Sequence, residues 1–485
     1  MRYILNGRYR FRGWKKAQTG VYDAATKTAK FLNKKQYLML LRCDGAHDLD
    51  EQDLSEEDKK FFEELLNSEV IRPARLMELL HPVQSYKEYP AEYRKSVQWS
   101  ITGACNLKCR HCFMSAPHAK HGAPSHEQII AIADQLAECG IFQVSLTGGE
   151  PLIREDFLDI IDALNEREIG IDTIYTNGWL VDEAFLDDLD KHHVHPPFQL
   201  SFDGVGWHDF LRGVPGAEDR TISALKLLQK RGCPVSISMC MHRKNRHTLR
   251  KSINLLASLG VRSVKCGSMM QLGEWAQPEL HDLQLTKEEE LQMFEEYIPQ
   301  YFEDDAPVSL MLGGVFMYDP GDPMWNIFFR RECAPEDERL MPSCGILTKN
   351  FYIGAEGMVC PCMGMGDCGY AKNFPNLFET PLREILDDSD FTHLCQTKVG
   401  DIRDANPQCR ECKYLDRCTG GCRNSALMAG DNYCGIDPEQ CWFFEHNGEE
   451  RIAAAAKDAF EAYIRRHPPT NGQAKPADDA MAECP

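Results

Sequence analysis

The feature that most constrains the fold is a loop with three closely spaced cysteines that follows an apolar, strand-like run. The run covers residues 97–102, and the loop continues as Cys105-x3-Cys109-x2-Cys112. Thiolates bind iron–sulfur clusters, and a 4Fe–4S cluster has four irons to ligate. Three protein ligands leave one iron open to an outside molecule, which favours a catalytic cluster over a simple electron carrier. On spacing alone a zinc site is the alternative, although zinc usually shows pairs of Cys-x2-Cys with a fourth ligand.

Strand-like runs alternate with helical patterns from residue 97 to residue 267. The runs cover residues 97–102, 141–147, 172–176, 198–202, 235–240 and 263–267. The helical patterns cover residues 125–139, 156–167, 182–191, 220–231 and 246–259. This alternation predicts a parallel sheet, either open or curled into a partial barrel. Ligand sites in such folds lie beyond the carboxyl ends of the strands, where the cysteine loop also falls.

Small and polar residues follow three more of these strands. Two glycines allow close approach of the backbone, and the glutamate beside them can accept hydrogen bonds from a bound ammonium group. Taken alone, that turn is equally typical of an ordinary connection between strand and helix. The site interpretation gains strength because several strand ends meet at one mouth. The residues concerned are Gly148, Gly149, Glu150, Asn177, Ser201, Asp203 and Arg212.

A second block of cysteines lies towards the C-terminus. Eleven of the 21 cysteines fall between Cys344 and Cys441, and in a reducing cytosol clustered cysteines indicate metal ligands. Seven of them are nearly enough for two 4Fe–4S clusters, with a pair of structural zinc sites as the alternative on spacing alone. Their order is Cys344-x12-Gly357-x4-Cys362, Cys409-x2-Cys412-x5-Cys418-x3-Cys422 and Cys441. The candidates for an eighth ligand are Cys333, Cys360, Cys368, Cys395 and Cys434.

Charge and hydropathy exclude several classes of partner. The net charge of −20 argues against non-specific binding to nucleic acid or to an anionic membrane surface. No apolar run approaches the ~20 residues needed to span a bilayer. The N-terminal residues are too polar for the core of a signal peptide. We therefore expect a cytoplasmic protein.

The remaining segments carry no cluster of ligands. Residues 1–90 predict a small sheet with helices near residues 37–42 and 57–67, which suits either an extended peptide on the sheet edge or a scaffold cap. We expect a linker at residues 81–92 and a less regular bridge from residue 286, with one helix at 287–302. The end of the chain predicts a helix at 452–466 and a disordered tail.

Together these motifs resemble the radical S-adenosylmethionine (SAM) superfamily and its SPASM extension. Residues 1–90 resemble, more weakly, the winged-helix peptide-recognition domain of peptide maturases. The resemblance implies an α/β fold, with a partial (β/α)6 radical SAM barrel between a small α+β winged-helix-like domain and a cysteine-rich SPASM domain. The implied units are residues 1–90, 91–285, 286–343 (a bridge), 344–447 (SPASM) and 448–485 (helix and tail).

The resemblance also implies the cofactors and their ligands. SAM would bind the open iron at Cys105, Cys109 and Cys112, with two auxiliary 4Fe–4S clusters in the SPASM domain. Gly148, Gly149 and Glu150 would orient its amino group, Ser201 and Arg212 its carboxylate, and Asn177 or Asp203 would make polar contacts nearby. A 5′-deoxyadenosyl radical would then take hydrogen from the substrate. His111 either packs on the cluster or faces solvent.

Related sequences also suggest how the auxiliary ligands are shared. Cys409, Cys412, Cys418 and Cys441 would hold an outer cluster, and Cys344, Cys362 and Cys422 an inner one. Cys441 is preferred to Cys434 because Asp437-Pro438 precedes it. Cys333, Cys360, Cys368 or no cysteine supplies the fourth inner ligand.

The implied activity is oxidation of a ribosomally made precursor peptide, forming a thioether or a side-chain cross-link. The partners would be that peptide, with its leader on residues 1–90, and a flavodoxin- or ferredoxin-type electron donor. A maturase of a partner enzyme, such as an anaerobic sulfatase, is the alternative in the same class. A non-catalytic iron–sulfur electron-transfer protein is the alternative in another class.

Overall fold

The computed structural model describes residues 1–15, 19–49, 54–326 and 339–468. Its N-terminal part forms two small sheets, in the orders β5-β1-β6 and β4-β3-β2-β7, and two helices. Their bounds are β1 Arg2–Leu5, β2 Tyr9–Trp14, β3 Gly20–Asp23, β4 Thr28–Phe31, α1 Lys34–Leu41, β5 Asp44–Asp48, α2 Glu56–Asn67, β6 Ile71–Pro73 and β7 Lys87–Tyr89. This is the α+β content predicted for residues 1–90, while the winged-helix form remains a prediction.

The segment expected to be a linker contributes a strand instead. β7 lies parallel to β2, with Tyr89 opposite Trp14. The two prolines that suggested a linker, Pro82 and Pro90, lie outside this short ladder, where a missing backbone N–H costs nothing. Tyr89 is buried with Trp14 and Phe142, which joins the N-terminal part to the next unit.

Six parallel strands alternate with helices in the centre of the molecule, as the sequence predicts. The strands are β8 Ser96–Ser100, β9 Gln143–Thr147, β10 Gly170–Thr176, β11 Phe198–Ser201, β12 Val235–Met241 and β13 Ser263–Ser268. The helices are α3 His126–Glu138, α4 Phe157–Glu166, α5 Glu183–Lys191, α6 His208–Arg212, α7 Ala217–Lys230 and α8 Leu249–Ser258. Ser125 and Asp182 cap α3 and α5 with their side chains, which satisfies N–H groups that begin those helices.

Residues 286–326 are more regular than predicted. Helix α9 (Lys287–Glu303) begins at Thr286, whose side chain caps it. Three strands follow, β14 Ser309–Leu312, β15 Phe316–Asp319 and β16 Asp322–Asn326, and they extend the central sheet beyond β13. Gly313 and Gly314 have φ of 54° and 75° and form the turn between β14 and β15.

The C-terminal part adds strands to the opposite edge of the same sheet. β17 (Asn350–Ile353) pairs in parallel with β8, and β18 (Val359–Cys360) pairs with β17. Short helices then surround the cysteines, and α17 packs along α9. These helices are α10 Leu382–Ile385, α11 Asp390–Cys395, α12 Val399–Ala405, α13 Pro407–Arg410, α14 Leu415–Cys418, α15 Arg423–Gly430, α16 Pro438–Glu445 and α17 Gly448–Arg466.

In the described part of the chain the central sheet therefore has eleven strands, and its two edge strands do not pair with each other. Its order is β16-β15-β14-β13-β12-β11-β10-β9-β8-β17-β18, with β8 to β14 and β17 parallel. Because it draws on three of the predicted units, the boundaries at residues 90, 285, 343 and 447 remain predictions. Cys333, the tail beyond residue 468 and Cys484 lie outside the described residues. None of the described helices is both long and apolar enough to cross a membrane.

Candidate active site

The three cysteines of the loop after β8 line one cavity of about 330 Å³ at the carboxyl ends of the strands. The backbone N–H of Leu107 donates to the sulfur of Cys105 at 3.4 Å, and that of Ala116 donates to Cys112 at 3.3 Å. Burial raises the pKa of the Cys105 thiol to about 12, so its thiolate needs a strong partner such as a metal. Three thiols, two of them with backbone N–H donors to sulfur, fit an iron–sulfur cluster.

The distances between ligand atoms can be compared with those that a single zinc ion requires. Four ligands at ~2.3 Å from one zinc would all lie within about 4.6 Å of one another. In the described residues, only His111, Asp203 and Cys240 bring three ligand atoms within 4.8 Å. No three cysteine sulfurs of the described residues are that close in this structure, which is consistent with the cluster interpretation.

The glycines after β9 are required by the cysteine loop itself. A Cβ on Gly149 would collide with the carbonyl oxygen of Ala104, and one on Gly148 would collide with that of Thr102. The backbone N–H of Glu150 donates to the Ala104 oxygen at 2.9 Å. This close approach fixes the loop against β9, and both glycines also line the cavity.

Three of the predicted polar residues face the cavity. Asn177, Ser201 and Arg212 line it, at the ends of β10 and β11 and at the last position of α6. The Asn177 Nδ2 lies 3.9 Å from the Cys105 sulfur, and the Arg212 Nη1 lies 3.7 Å from the Cys109 sulfur. These donors therefore surround the position of the predicted cluster.

The two predicted carboxylates lie behind the cavity wall. Glu150 is fully buried and accepts hydrogen bonds from the Thr176 hydroxyl at 2.8 Å and from the Asn177 N–H at 2.7 Å. Burial raises its pKa to about 7, against the effect of these donors. Asp203 is paired with Arg212 at 2.7 Å. Burial opposes its ionisation, but the Arg212 guanidinium holds the pKa of Asp203 well below its usual range.

The sequence analysis missed several further residues that line the cavity. A signal for Gln199, Ser238 and Cys240 was present in β11 and β12, where buried apolar residues alternate with half-buried polar ones, because successive side chains of a strand face opposite sides. Ser201 was identified from its position at a strand end, but its neighbours on the same face were not. The missed residues include Tyr175, Gln199, Ser238, Cys240 and Met363.

His111, between the second and third cysteines, belongs to the wall of the cavity rather than to the surface. Its Nδ1 is buried and has no hydrogen-bond partner in the described residues. Burial, together with the charge of Arg212, lowers its pKa to about 4. The imidazole is therefore neutral at neutral pH, and the half-buried ring lies in the cavity wall.

The C-terminal cysteines fall into two neighbourhoods. Burial raises the pKa of Cys362, and the nearby Cys344 raises it further. Burial also raises the pKa of Cys422, to which the nearby Cys362 contributes. Burial likewise raises the pKa of Cys441 to about 11, with Cys409 and Cys412 contributing. The structure thus brings together three predicted inner ligands and three predicted outer ones. Cys418 ends α14, four residues before Cys422, and its place in the outer set remains a prediction.

The remaining cysteines of this block differ in their surroundings. The thiol of Cys360 donates to the backbone oxygen of Cys362 at 3.3 Å, and that of Cys368 donates to the backbone oxygen of Met365 at 3.1 Å. Cys395 is buried in the main core, and the charged neighbours of Cys434 are Arg423 and Asp401. Cys360 thus lies beside the predicted inner ligand Cys362, Cys333 is outside the described residues, and the fourth inner ligand remains a prediction.

A second cavity of about 270 Å³ adjoins the first. The two share Ser238 and Cys240, and the second extends to Lys265 and Met270. The first reaches Met363, the residue directly after the predicted inner ligand Cys362. Continuous space therefore runs from the loop cysteines towards the C-terminal cysteine block.

Comparison with known families agrees with the iron–sulfur interpretation of both cysteine blocks. Residues 99–256 match the radical SAM superfamily, and residues 344–413 match SPASM, an iron-sulfur cluster-binding domain. The chain is 25% identical over 369 residues to a PqqA peptide cyclase of Granulibacter bethesdensis, covering 76% of this chain and 92% of the relative. It is also 25% identical to an AdoMet-dependent heme synthase of Methanosarcina barkeri, covering 70% and 95%.

Solved structures share the fold at low identity. Streptococcus suis SuiB bound to its precursor peptide SuiA matches with a TM-score of 0.61 at 16% identity, over 90% of this chain and 99% of that one. The enzyme anSMEcpe with bound AdoMet and the Cp18Cys peptide matches with a TM-score of 0.54 at 16% identity, over 76% and 98%. The chain therefore carries a radical SAM domain, which binds SAM and a 4Fe–4S cluster, and an SPASM domain for auxiliary clusters.

Proposed function

We propose that this chain, a radical SAM enzyme with an SPASM domain, oxidises a ribosomally made precursor peptide and joins two of its side chains. The bond formed is a thioether or a carbon–carbon or carbon–oxygen cross-link. Two of the similar proteins are a peptide cyclase and a protein solved with its precursor peptide. The SuiB match also covers 90% of this chain, against 76% for anSMEcpe.

The observation that carries this proposal is the continuous space between the two cysteine blocks. One cavity touches Cys105, Cys109 and Cys112 and also Met363, which is bonded to the predicted ligand Cys362. A peptide side chain held there would lie between the SAM site and the inner auxiliary cluster. It could lose a hydrogen atom on one side and an electron on the other.

The chain's own residues would position SAM. When bound at the three-cysteine cluster, SAM supplies a carbon radical able to take hydrogen from an unactivated C–H bond. Arg212 uses Nε and Nη2 for Asp203 and keeps Nη1 beside Cys109, where a carboxylate can reach it. Asp203 therefore orients the guanidinium, and Glu150 fixes the turn at Asn177 without facing the cofactor.

The leader of the peptide would bind the N-terminal part of the chain. Leu76, Met77 and Leu79 are 96%, 87% and 64% exposed and follow β6, an edge strand of the small sheet. Exposed apolar side chains beside a strand edge suit an extended peptide, which gains backbone hydrogen bonds and apolar contacts together. We infer that this patch, residues 76–79, takes the apolar side chains of the leader.

The test uses the protein with its clusters reconstituted without oxygen. With a strong reductant it should cleave SAM to 5′-deoxyadenosine, and the peptide encoded beside its gene should lose two hydrogen atoms. The C105A/C109A/C112A variant should do neither, while C233A, a change at a half-buried cysteine outside both blocks, should do both. Persistent cleavage in the triple variant would refute the catalytic cluster. Cleavage without any change in the peptide would refute the substrate.

A further inference from the structure

Arg423 is a buried cation in the SPASM domain, directly after the predicted inner ligand Cys422. Its side chain is 1% exposed. Its Nη1 donates to the backbone oxygens of Tyr433 at 2.8 Å and Gly435 at 2.9 Å, and its Nη2 donates to that of Gly420. Its Nε is buried without a partner in the described residues. The hydrogen bonds of the guanidinium thus go to neutral carbonyl groups.

No carboxylate in the described part of the chain forms an ion pair with Arg423 within 4.0 Å. The buried acid of this loop, Asp437, is occupied by other donors. It accepts from the N–H of Cys422 and from the hydroxyl of Ser425, both at 2.7 Å, and from the N–H of Glu439 at 2.9 Å. A fully buried charge without a counter-ion is strongly unfavourable. The site therefore calls for a further anion beside Arg423.

Both groups of C-terminal cysteines lie within electrostatic reach of this guanidinium. Cys422 of the inner group is its neighbour in the chain. The Gly420 carbonyl that accepts from the Arg423 Nη2 lies two residues after Cys418, a predicted outer ligand. Tyr433, which Arg423 holds by its carbonyl, packs in one cluster with Cys344. A cluster held by thiolates is net anionic and becomes more so on reduction, so two such clusters would supply the missing anion.

We propose that Arg423 is the shared counter-ion of the two auxiliary clusters and raises their reduction potentials. This inference rests on the proposed function, since it requires that both clusters bind. A nearby positive charge favours the more negative, reduced state of each cluster. When the substrate radical closes into a bond, the substrate would lose one electron and one proton; a bound auxiliary cluster would accept the electron, and water would accept the proton. Arg423 would act on the clusters only through its charge, and it would contact neither SAM nor the substrate.

The test compares R423Q with R423K in the full chain, with clusters reconstituted. Iron is counted, and each cluster is titrated with reductant and followed by electron paramagnetic resonance; the SAM-binding cluster is identified by its response to added SAM. We expect the auxiliary potentials to fall in R423Q and to stay near the original values in R423K. The SAM-binding cluster should be unchanged in both.

Arg410 provides a matched control, because it directly follows the outer ligand Cys409 but is exposed. Water screens an exposed charge, so R410Q should leave all potentials unchanged. Loss of auxiliary iron in R423Q with retention in R423K would also support the proposal. Equal effects in R423Q and R423K, loss of iron in both, or no shift in R423Q would overturn it. Only about four irons, with zinc, in the original protein would refute the proposed function itself.

Discussion

The position of Glu150 at a strand end could be predicted from the sequence, but the hydrogen bonds of its side chain could not. The sequence places the Gly-Gly-Glu-Pro turn at a strand end and predicts that the glutamate meets the ammonium of SAM. In the structure its carboxylate accepts from Thr176 and Asn177, on the neighbouring strand β10 and its end. Sequence spacing shows which strand end a residue follows, but the direction of its side chain depends on donors that are distant in the chain.

At the same scale, we predict that G149A loses the SAM-binding cluster. The new Cβ would meet the backbone of Ala104, which cannot move without shifting the cysteine loop. Overpacking of this kind costs about 1–3 kcal/mol. We expect iron to fall by about four per chain, the content of one cluster, and SAM cleavage to be lost. A Cβ added to Gly7 would have no atom within 4 Å, so the control G7A should keep its iron and its SAM cleavage. A full iron content in G149A would contradict the prediction.

Among the elements, the long alternating pattern of strands and helices was predicted well, whereas the short strands β7 and β17 were not. Each of the six central strands was found within about two residues of its predicted bounds, because its apolar residues stand between turn residues and helical patterns that mark where it begins and ends. β7 and β17 have three and four residues, too few for a pattern, and they exist because β2 and β8 offer free edges. Such pairing joins residues far apart in the chain, so local sequence does not reveal it.

The exposed residues after β6 support a prediction about an element. In L76S/M77S/L79S the leader would lose three apolar contacts, each worth about 1 kcal/mol or more. We therefore expect affinity for the precursor peptide, measured by fluorescence anisotropy, to fall at least about tenfold. SAM cleavage without peptide should not change, because no residue of the patch lines the cavity. The control is L340S, because Leu340 is also exposed (65%) but lies in the C-terminal part. If the triple variant bound the peptide as tightly as the original protein, residues 76–79 would not belong to the binding site.

Across the whole molecule, the two cysteine blocks are held together by more than the shared sheet. His121, at the end of the cysteine loop, contacts Glu356 at 3.0 Å and Asp367 at 3.3 Å, both in the C-terminal part. Lys120 also pairs with Asp367. The loop that holds the predicted SAM-binding cluster is therefore tied by charge to the segment that follows the inner ligand Cys362. Opening this contact would separate the two ends of the substrate cavity.

The contact predicts a pH dependence of stability. Hydrogen bonds to Asp367 and Glu356 raise the pKa of His121 to about 9, above its value of about 6.5 in an unfolded chain. A raised pKa stabilises the folded state fully below about pH 6.5, and this contribution is lost as the pH rises to about 9, by at most about 1.4 kcal/mol per unit. The difference in melting temperature between the original protein and H121Q should thus be largest near pH 6 and smallest above pH 9.

His247 provides the control for this titration, because it is exposed. H247Q should melt at nearly the same temperature as the original protein at every pH. The measurement uses cluster-loaded protein without oxygen, so that loss of iron does not obscure unfolding. A constant difference for H121Q from pH 6 to pH 9.5 would mean that the imidazole contributes packing alone. A difference that shrinks with rising pH would show that the positive charge of His121 helps to hold the two cysteine blocks together.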